Sequence, residues 1–329
     1  MPALVFMGTP EWAVPSLRAV AAYPGARLVG VFTQAAKPAG RHRQLRPSAV
    51  RAAAEALGVP VAAPAKAGDP EAMAALDAWR PDLIVVCAYG RILPTRVLEH
   101  PALGCFNLHF SLLPRWRGAS PVQAALLAGD AVTGVTLQRM VKELDAGAVA
   151  AETPPLPITP GDTAGSLGAR LAEAAARLIA EALPVLLTSQ PTLREQDPAA
   201  VTHCGIIPKQ AGAVHWARDD AARIDRQFRA YTPWPGCYGF LGGRRIEFTR
   251  LEAAAAGTLP QEWHGAPPGT LLPGGWVPAR AGHVRLIEVK PEGKRAMALD
   301  DFLRGQPHAL GQRITPEPEG CLSPSISPP

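Results

Sequence analysis

Four short apolar runs constrain the first half of this chain most strongly: residues 3–7, 27–33, 82–88 and 104–109. The first stops at Gly8-Thr9-Pro10 and the third at Tyr89-Gly90-Arg91. A short apolar run closed by turn residues reads as a strand buried on both faces of a parallel sheet. Segments of helical spacing lie between them, at 14–23 and 49–57. A further helix opens with Asp69 as N-cap, Pro70 just inside and Glu71 in the first turn. A short strand at 59–61 completes the alternation. Strand–helix alternation of this kind implies α/β architecture with a Rossmann-like, doubly wound and mostly parallel sheet. The glycine after the first strand stands alone, with no G-x-G-x-x-G, which argues against a nicotinamide or flavin cofactor.

The basic loop 37–48 follows the second strand. Beyond the fourth, the pattern predicts a helix at 121–127, a strand at 132–140, a turn at 143–147 and a long amphipathic helix at 163–187 capped by Asp162. The composition turns polar and proline-punctuated at 188–208. Past that break come an expected strand at 213–216 and a helix at 219–231. Two strand-like runs, 237–241 and 244–249, flank Gly242-Gly243, a strong hairpin signal. Short strands at 270–272, 276–280 and 284–289 then suggest a small OB-like β-barrel. The expected organisation is a Rossmann-like catalytic domain at 1–190, a linker at 191–207, an OB-like domain at 208–315 and a disordered Pro/Ser-rich tail at 316–329.

With 47% apolar and 19% charged residues, the chain is not of disordered composition. The net charge of +5 does not by itself argue for a nucleic acid partner. The distribution says more: residues 12–54 contain no acid, while Lys37, Arg41, Arg43 and Arg46 are all basic. The five cysteines lack metal-knuckle spacing, and Cys87 and Cys105 sit in apolar runs, which fits a reducing cytoplasm. No basic leader precedes an apolar segment, and no apolar run approaches the ~20 residues that span a bilayer. The expectation is a cytoplasmic monomer away from membranes.

Asn107 and His109 stand two apart at the end of the fourth run, so they share one strand face. In open α/β sheets, ligands bind at the carboxyl ends of strands. An imidazole shuttles protons near neutrality, and an amide N–H donates to an oxygen gaining negative charge. Asp145, on the 143–147 turn, supplies a carboxylate. Together the three suit attack of an amine on a carbonyl carbon without a covalent enzyme intermediate. Each also admits a structural role, as a satisfied core histidine, a turn-forming Asn and a turn-capping Asp.

Several segments resemble the methionyl-tRNA formyltransferase family. They are Phe6-Met7-Gly8-Thr9-Pro10-Glu11-Trp12, Lys37-Pro38-Ala39-Gly40-Arg41, Ala88-Tyr89-Gly90-Arg91-Ile92-Leu93-Pro94 and Asn107-Leu108-His109-Phe110-Ser111-Leu112-Leu113-Pro114, with Thr232-Pro233-Trp234-Pro235-Gly236 and Asp301-Phe302-Leu303-Arg304-Gly305 downstream. The N-x-H-x-S-L-L-P core alone marks the wider formyltransferase superfamily. The resemblance implies formyl transfer from 10-formyltetrahydrofolate, as co-substrate, to the amino group of initiator methionyl-tRNA, with no metal. It implies that Asn107 stabilises the oxyanion, His109 moves a proton and Asp145 orients His109 or a water. Ser111, Leu112, Leu113, Pro114, Arg91, Ile92 and Leu93 would line the folate site. Arg41, Arg43, Arg46, Lys37 and Lys209 would contact tRNA. A folate-dependent formyltransferase acting on a glycinamide nucleotide or amino sugar, and a catalytically silent RNA-binding protein, are the alternatives. The chain departs from the family pattern at Glu143, where a glycine is usual, at Ala146 for threonine, at Trp12 for phenylalanine and within the basic loop.

Overall fold

The computed structural model describes residues 1–39, 44–188, 191–254, 260 and 263–318, with backbone alone at 37–39 and 44–45. It divides into two compact units. The first comprises Met1–Ala125, Asp130–Pro160 and Ser166–Ile206; the second comprises Leu126–Gly129, Gly161–Gly165 and Ile207–Pro329.

The first unit is built on a seven-stranded sheet. Its strands are β1 (Ala3–Gly8), β2 (Arg27–Phe32), β3 (Val61–Ala62), β4 (Leu83–Cys87), β5 (Cys105–His109), β6 (Thr136–Arg139) and β7 (Val149–Glu152). The spatial order is β7-β6-β5-β4-β1-β2-β3. The strands from β3 to β5 run parallel, and β6 and β7 add an antiparallel edge. Every residue of β4 is buried, as a run without alternation requires of a central parallel strand. Val5, Met7, Ile84, Val86 and Phe32 form a core cluster with Leu76 and Val97 beneath them. Asp69 accepts from the Ala72 N–H at 2.9 Å and starts the helix Pro70–Trp79 as expected.

The chain order reverses between β1 and β4, and their carboxyl ends are tied together. Thr9 Oγ1 and Gln34 Nε2 both donate to the Tyr89 carbonyl at 2.9 Å. This fixes the loop after β4 to the ends of β1 and β2, while β5, which ends at His109, pairs with the other side of β4. The doubly wound sheet thus supplies the crevice in which such folds bind ligands.

Local details differ from the sequence reading where backbone approaches decide. The alternating stretch 132–140 is two strands in two sheets, Val132–Thr133 paired with Leu156–Pro157 and Thr136–Arg139 in the main sheet. The break falls at Gly134, where an added Cβ would lie 2.5 Å from Leu112 and 2.8 Å from Thr153. The basic loop begins and ends in a small ladder, Lys37–Ala39 against Gln44–Arg46. Arg41 and Arg43 lie outside the described residues, as does the tail from residue 319 onward.

The second unit holds a curled antiparallel half-barrel. Cys237–Leu241 and Arg244–Ala254 form the expected hairpin, with Gly242 and Gly243 both at positive φ (54° and 74°). His283–Pro291 pairs with Arg244–Ala254, and Trp276–Pro278 and Met297–Ala298 flank it. Register shifts around Arg250 bend the long strand. The helix Ala221–Ala230, capped by Asp220, buries Ala221, Ile224, Gln227 and Ala230. Trp216 is buried edge-on against Phe248, with ring centroids 5.8 Å apart. Residues 213 and 270 make only isolated bridges, to Tyr238 and Arg313, where strands were expected. Trp216 and Tyr231 are buried, Tyr238 is half-buried and Trp234 is 51% exposed. Among the described residues, no helix is long and apolar enough to cross a membrane.

Candidate active site

Strand β5 delivers Asn107 and His109 to one face two residues apart. The segment after β5 is held by its own polar groups. Ser111 Oγ donates to the Arg115 carbonyl at 2.6 Å, and Thr136 Oγ1 donates to the Ser111 carbonyl at 2.7 Å while accepting from the Leu113 N–H at 3.0 Å. The chain then enters the left-handed region at Trp116 (φ 62°), whose N–H donates to Thr202 Oγ1 at 2.8 Å. That twist aims the Trp116 carbonyl at His109 Nε2, 2.8 Å away. A carbonyl only accepts, so neutral His109 carries its hydrogen on Nε2 and has Nδ1 as its unprotonated nitrogen. Nδ1 lies 3.7 Å from Asp145 Oδ2, both side chains being nearly buried. That gap is too long for a hydrogen bond and too short for an intervening water.

Asp145 is held on three sides. Its Oδ2 accepts from the Gly118 N–H and its Oδ1 from Gln138 Nε2, each at 2.9 Å. Gln196 Nε2 donates to the carbonyls of Asp145 (2.9 Å) and Gly147 (2.7 Å), and Gln196 Oε1 in turn accepts from Arg117 Nε at 2.9 Å. Asp145 itself sits at φ 51°, a region Asp tolerates better than most residues. Glu143, where the family pattern has glycine, has no positive φ and is exposed, its carbonyl accepting from the Ala146 N–H. The substitution is therefore accommodated without strain. The glycine that the turn does require is Gly147, where a Cβ would lie 1.7 Å from the Arg139 carbonyl oxygen.

The structure thus brings Asn107, His109 and Asp145 into one region. Burial pushes the nearby Cys204 thiol up, and the Asp145 charge adds to this, so Cys204 is a poor nucleophile. The residues expected to line a folate site differ in what they present. Ile92 is 82% exposed, while Leu93 and Leu113 are buried in the core and offer backbone rather than side chain. Arg91 donates to the Ala65 carbonyl, tying down a neighbouring loop. Arg115 forms a bidentate pair with Asp130 and stacks over Trp116. Arg46 and Lys209 are exposed. Trp12 stacks near Phe110 with centroids 6.2 Å apart, in space left by Gly168.

Gln138, Gln196, Thr202 and Gly118 were missed as parts of the site. No local signal marked them: even Gln138 lies in a strand, Thr136–Arg139, where only Leu137 is apolar.

The model described as Formyl transferase matches residues 2–183, and the model described as Formyl transferase, C-terminal domain, matches residues 206–307. The chain belongs to the formyl transferase family. Along most of its length it is similar to the Methionyl-tRNA formyltransferase of Gluconobacter oxydans (strain 621H), being 43% identical over 316 residues, 94% of this chain and 99% of that protein. Two solved structures share the fold. The N-formyltransferase from Helicobacter canadensis, in complex with folinic acid and dTDP-3-aminofucose, superimposes with a TM-score of 0.63 at 15% identity, over 86% of this chain and 98% of that one. HypX from Aquifex aeolicus, in complex with tetrahydrofolic acid, gives 0.60 at 16% identity over 92% of this chain, which spans 47% of HypX.

Proposed function

We propose that this chain transfers the formyl group of 10-formyltetrahydrofolate to the amino group of initiator methionyl-tRNA. The observation that carries the reading is the near-full-length likeness to a methionyl-tRNA formyltransferase, joined to a site that holds an imidazole against a carboxylate beside a free amide.

Each group has one task. Asn107 makes no side-chain hydrogen bond among the described residues, so its amide N–H is free to donate to the formyl oxygen as that oxygen gains charge. His109 Nδ1 takes the proton that the attacking amine must lose. With Nε2–H held by the Trp116 carbonyl, the resulting imidazolium has its new N–H facing Asp145. The same proton then serves the folate nitrogen as the carbon–nitrogen bond to it breaks, so one proton leaves the amine and one reaches the leaving group. Asp145, fixed by Gly118 and Gln138, holds the imidazole's charge and orientation. In this reading the exposed Ile92 side chain meets the flat face of the folate ring and backbone groups of residues 111–114 meet its polar edge.

In this reading Lys37, Arg41, Arg43, Arg46 and Lys209 contact tRNA phosphates, the second unit is a tRNA-binding domain, and the chain works as a cytoplasmic monomer. Replacing Arg41, Arg43 and Arg46 together by Ala should raise KM for tRNA and flatten its salt dependence by about 0.7–0.9 in log–log slope per lost phosphate contact. An unchanged KM and slope would remove the loop from the interface.

An acceptor panel with 10-formyltetrahydrofolate tests the function. The expected result is rapid formylation of initiator methionyl-tRNA, slower transfer to elongator methionyl-tRNA and none to free methionine or glycinamide ribonucleotide. Transfer to glycinamide ribonucleotide or a nucleotide-linked amino sugar, with methionyl-tRNA untouched, would overturn it.

A further inference from the structure

Gln138 is 1% exposed on β6. In the antiparallel register it stands directly opposite Asn107. Opposite residues on paired strands share a face, with Cβ atoms about 4.5–5.5 Å apart. The pairing of β6 with β7 shifts register between Leu137 and Gln138, an irregularity of the kind that re-aims side chains beside active sites.

The amide of Gln138 has only one possible sense. Its partner is Asp145 Oδ1, an acceptor, so the NH2 group must face Asp145 and Oε1 must face away. That Oε1 is buried and has no hydrogen-bond partner. Buried acceptors are nearly always paired, and an orphan of this kind calls for a donor. The cross-strand neighbour Asn107 carries two N–H groups, and neither is engaged among the described residues.

We propose that Gln138 is a positioning residue that joins the two ends of the site. Its NH2 holds Asp145, and its Oε1 accepts one N–H of Asn107 when that amide turns its other N–H to the formyl oxygen. Without the bridge, the Asn107 amide is free to turn its own oxygen toward the developing oxyanion, and the Asp145 carboxylate keeps the Gly118 N–H but loses its side-chain donor. The proposal rests on the catalytic reading of Asn107 and Asp145 above.

The test is a set of double-mutant cycles on Gln138→Met, which keeps the length of the side chain and removes both hydrogen-bonding groups. The expected result is a kcat about 10–50-fold lower, with KM for folate and tRNA within twofold of wild type and an unchanged thermal midpoint. In Asp145→Asn and in Asn107→Ala backgrounds, adding Gln138→Met should lower kcat less than threefold further, because residues in one hydrogen-bond network are not additive. Wild-type kcat in Gln138→Met, or a full-size loss in both backgrounds, would overturn the proposal. Gln138→Glu guards against misfolding of the first variant: it keeps an acceptor for Asn107 but sets a carboxylate against Asp145. It should lose at least as much kcat as Gln138→Met, and wild-type turnover would equally overturn the bridge. The single variants separate the two readings. If Asn107→Ala and Asp145→Asn turn over like wild type, the catalytic set itself is wrong. If they are impaired and Gln138→Met is not, the bridge alone fails.

Discussion

Replacing His109 by Ala should lower kcat for formyl transfer about a thousandfold while leaving tRNA affinity within twofold of wild type. The size follows from its role. A positioned proton carrier contributes typically about 10²–10⁴-fold, and in the proposed reading Nδ1, 3.7 Å from Asp145 Oδ2, is the atom that carries the proton. Cys204 Sγ also donates to the Trp116 carbonyl, so truncating His109 does not leave that oxygen unpaired. His109→Gln is the sharper control, because its amide can still donate to Trp116 but cannot carry a proton. Both variants should lose comparable activity. Single-turnover formylation of methionyl-tRNA, followed by acid gel or mass spectrometry, reads the rate directly. Turnover of either variant within tenfold of wild type would remove His109 from the chemistry.

The second large effect is expected at Gly118, a residue that touches no substrate in this reading. Its φ is 122°, a conformation L side chains rarely adopt, and a Cβ there would lie 2.0 Å from the carbonyl oxygen of Cys204. Gly118 pairs with Cys204 in a short parallel ladder formed by Arg117–Gly118 and His203–Cys204. Its N–H holds Asp145 Oδ2. Gly118→Ala must therefore push two backbones apart and carry Asp145 with them. Strain at such a position costs about 1–3 kcal/mol, and an ångström of misplacement near the chemistry costs on the order of 10²-fold in rate. The variant should melt about 5 °C lower and turn over about a hundredfold more slowly when assayed well below that temperature. A wild-type melting point together with wild-type turnover would show that the 117–118 and 203–204 segments are free to separate.

Much of the architecture was legible in the sequence because its signals are local. A run without alternation, 82–88, became the fully buried central strand Leu83–Cys87. Asp69-Pro70-Glu71 became a capped helix start, and Gly242-Gly243 became a hairpin turn. The Asn107–His109 spacing placed both side chains on one face because strand periodicity is two. Other expectations depended on approaches between distant parts of the chain. The 132–140 alternation reads as one strand until Gly134 packs between Leu112 and Thr153. Residue type alone does not separate Trp234, half exposed, from Trp216, buried. Composition carries no information about which side of a sheet a loop aromatic will meet.

The sequence by itself determined the elements, their polar and apolar faces, and three of the chemical groups, since each follows from repeats of two or 3.6 residues and from short motifs. Only the tertiary structure decided what holds those groups. Asp145 takes its donors from Gly118 and Gln138, while Gln196 fixes its carbonyl; these residues lie 27, 7 and 51 positions away along the chain. Even the nearest, Gln138, reaches it only because the chain reverses after β6. Hydrogen bonds need partners within about 3 Å in space, whatever their separation in sequence. The fold alone sets those distances.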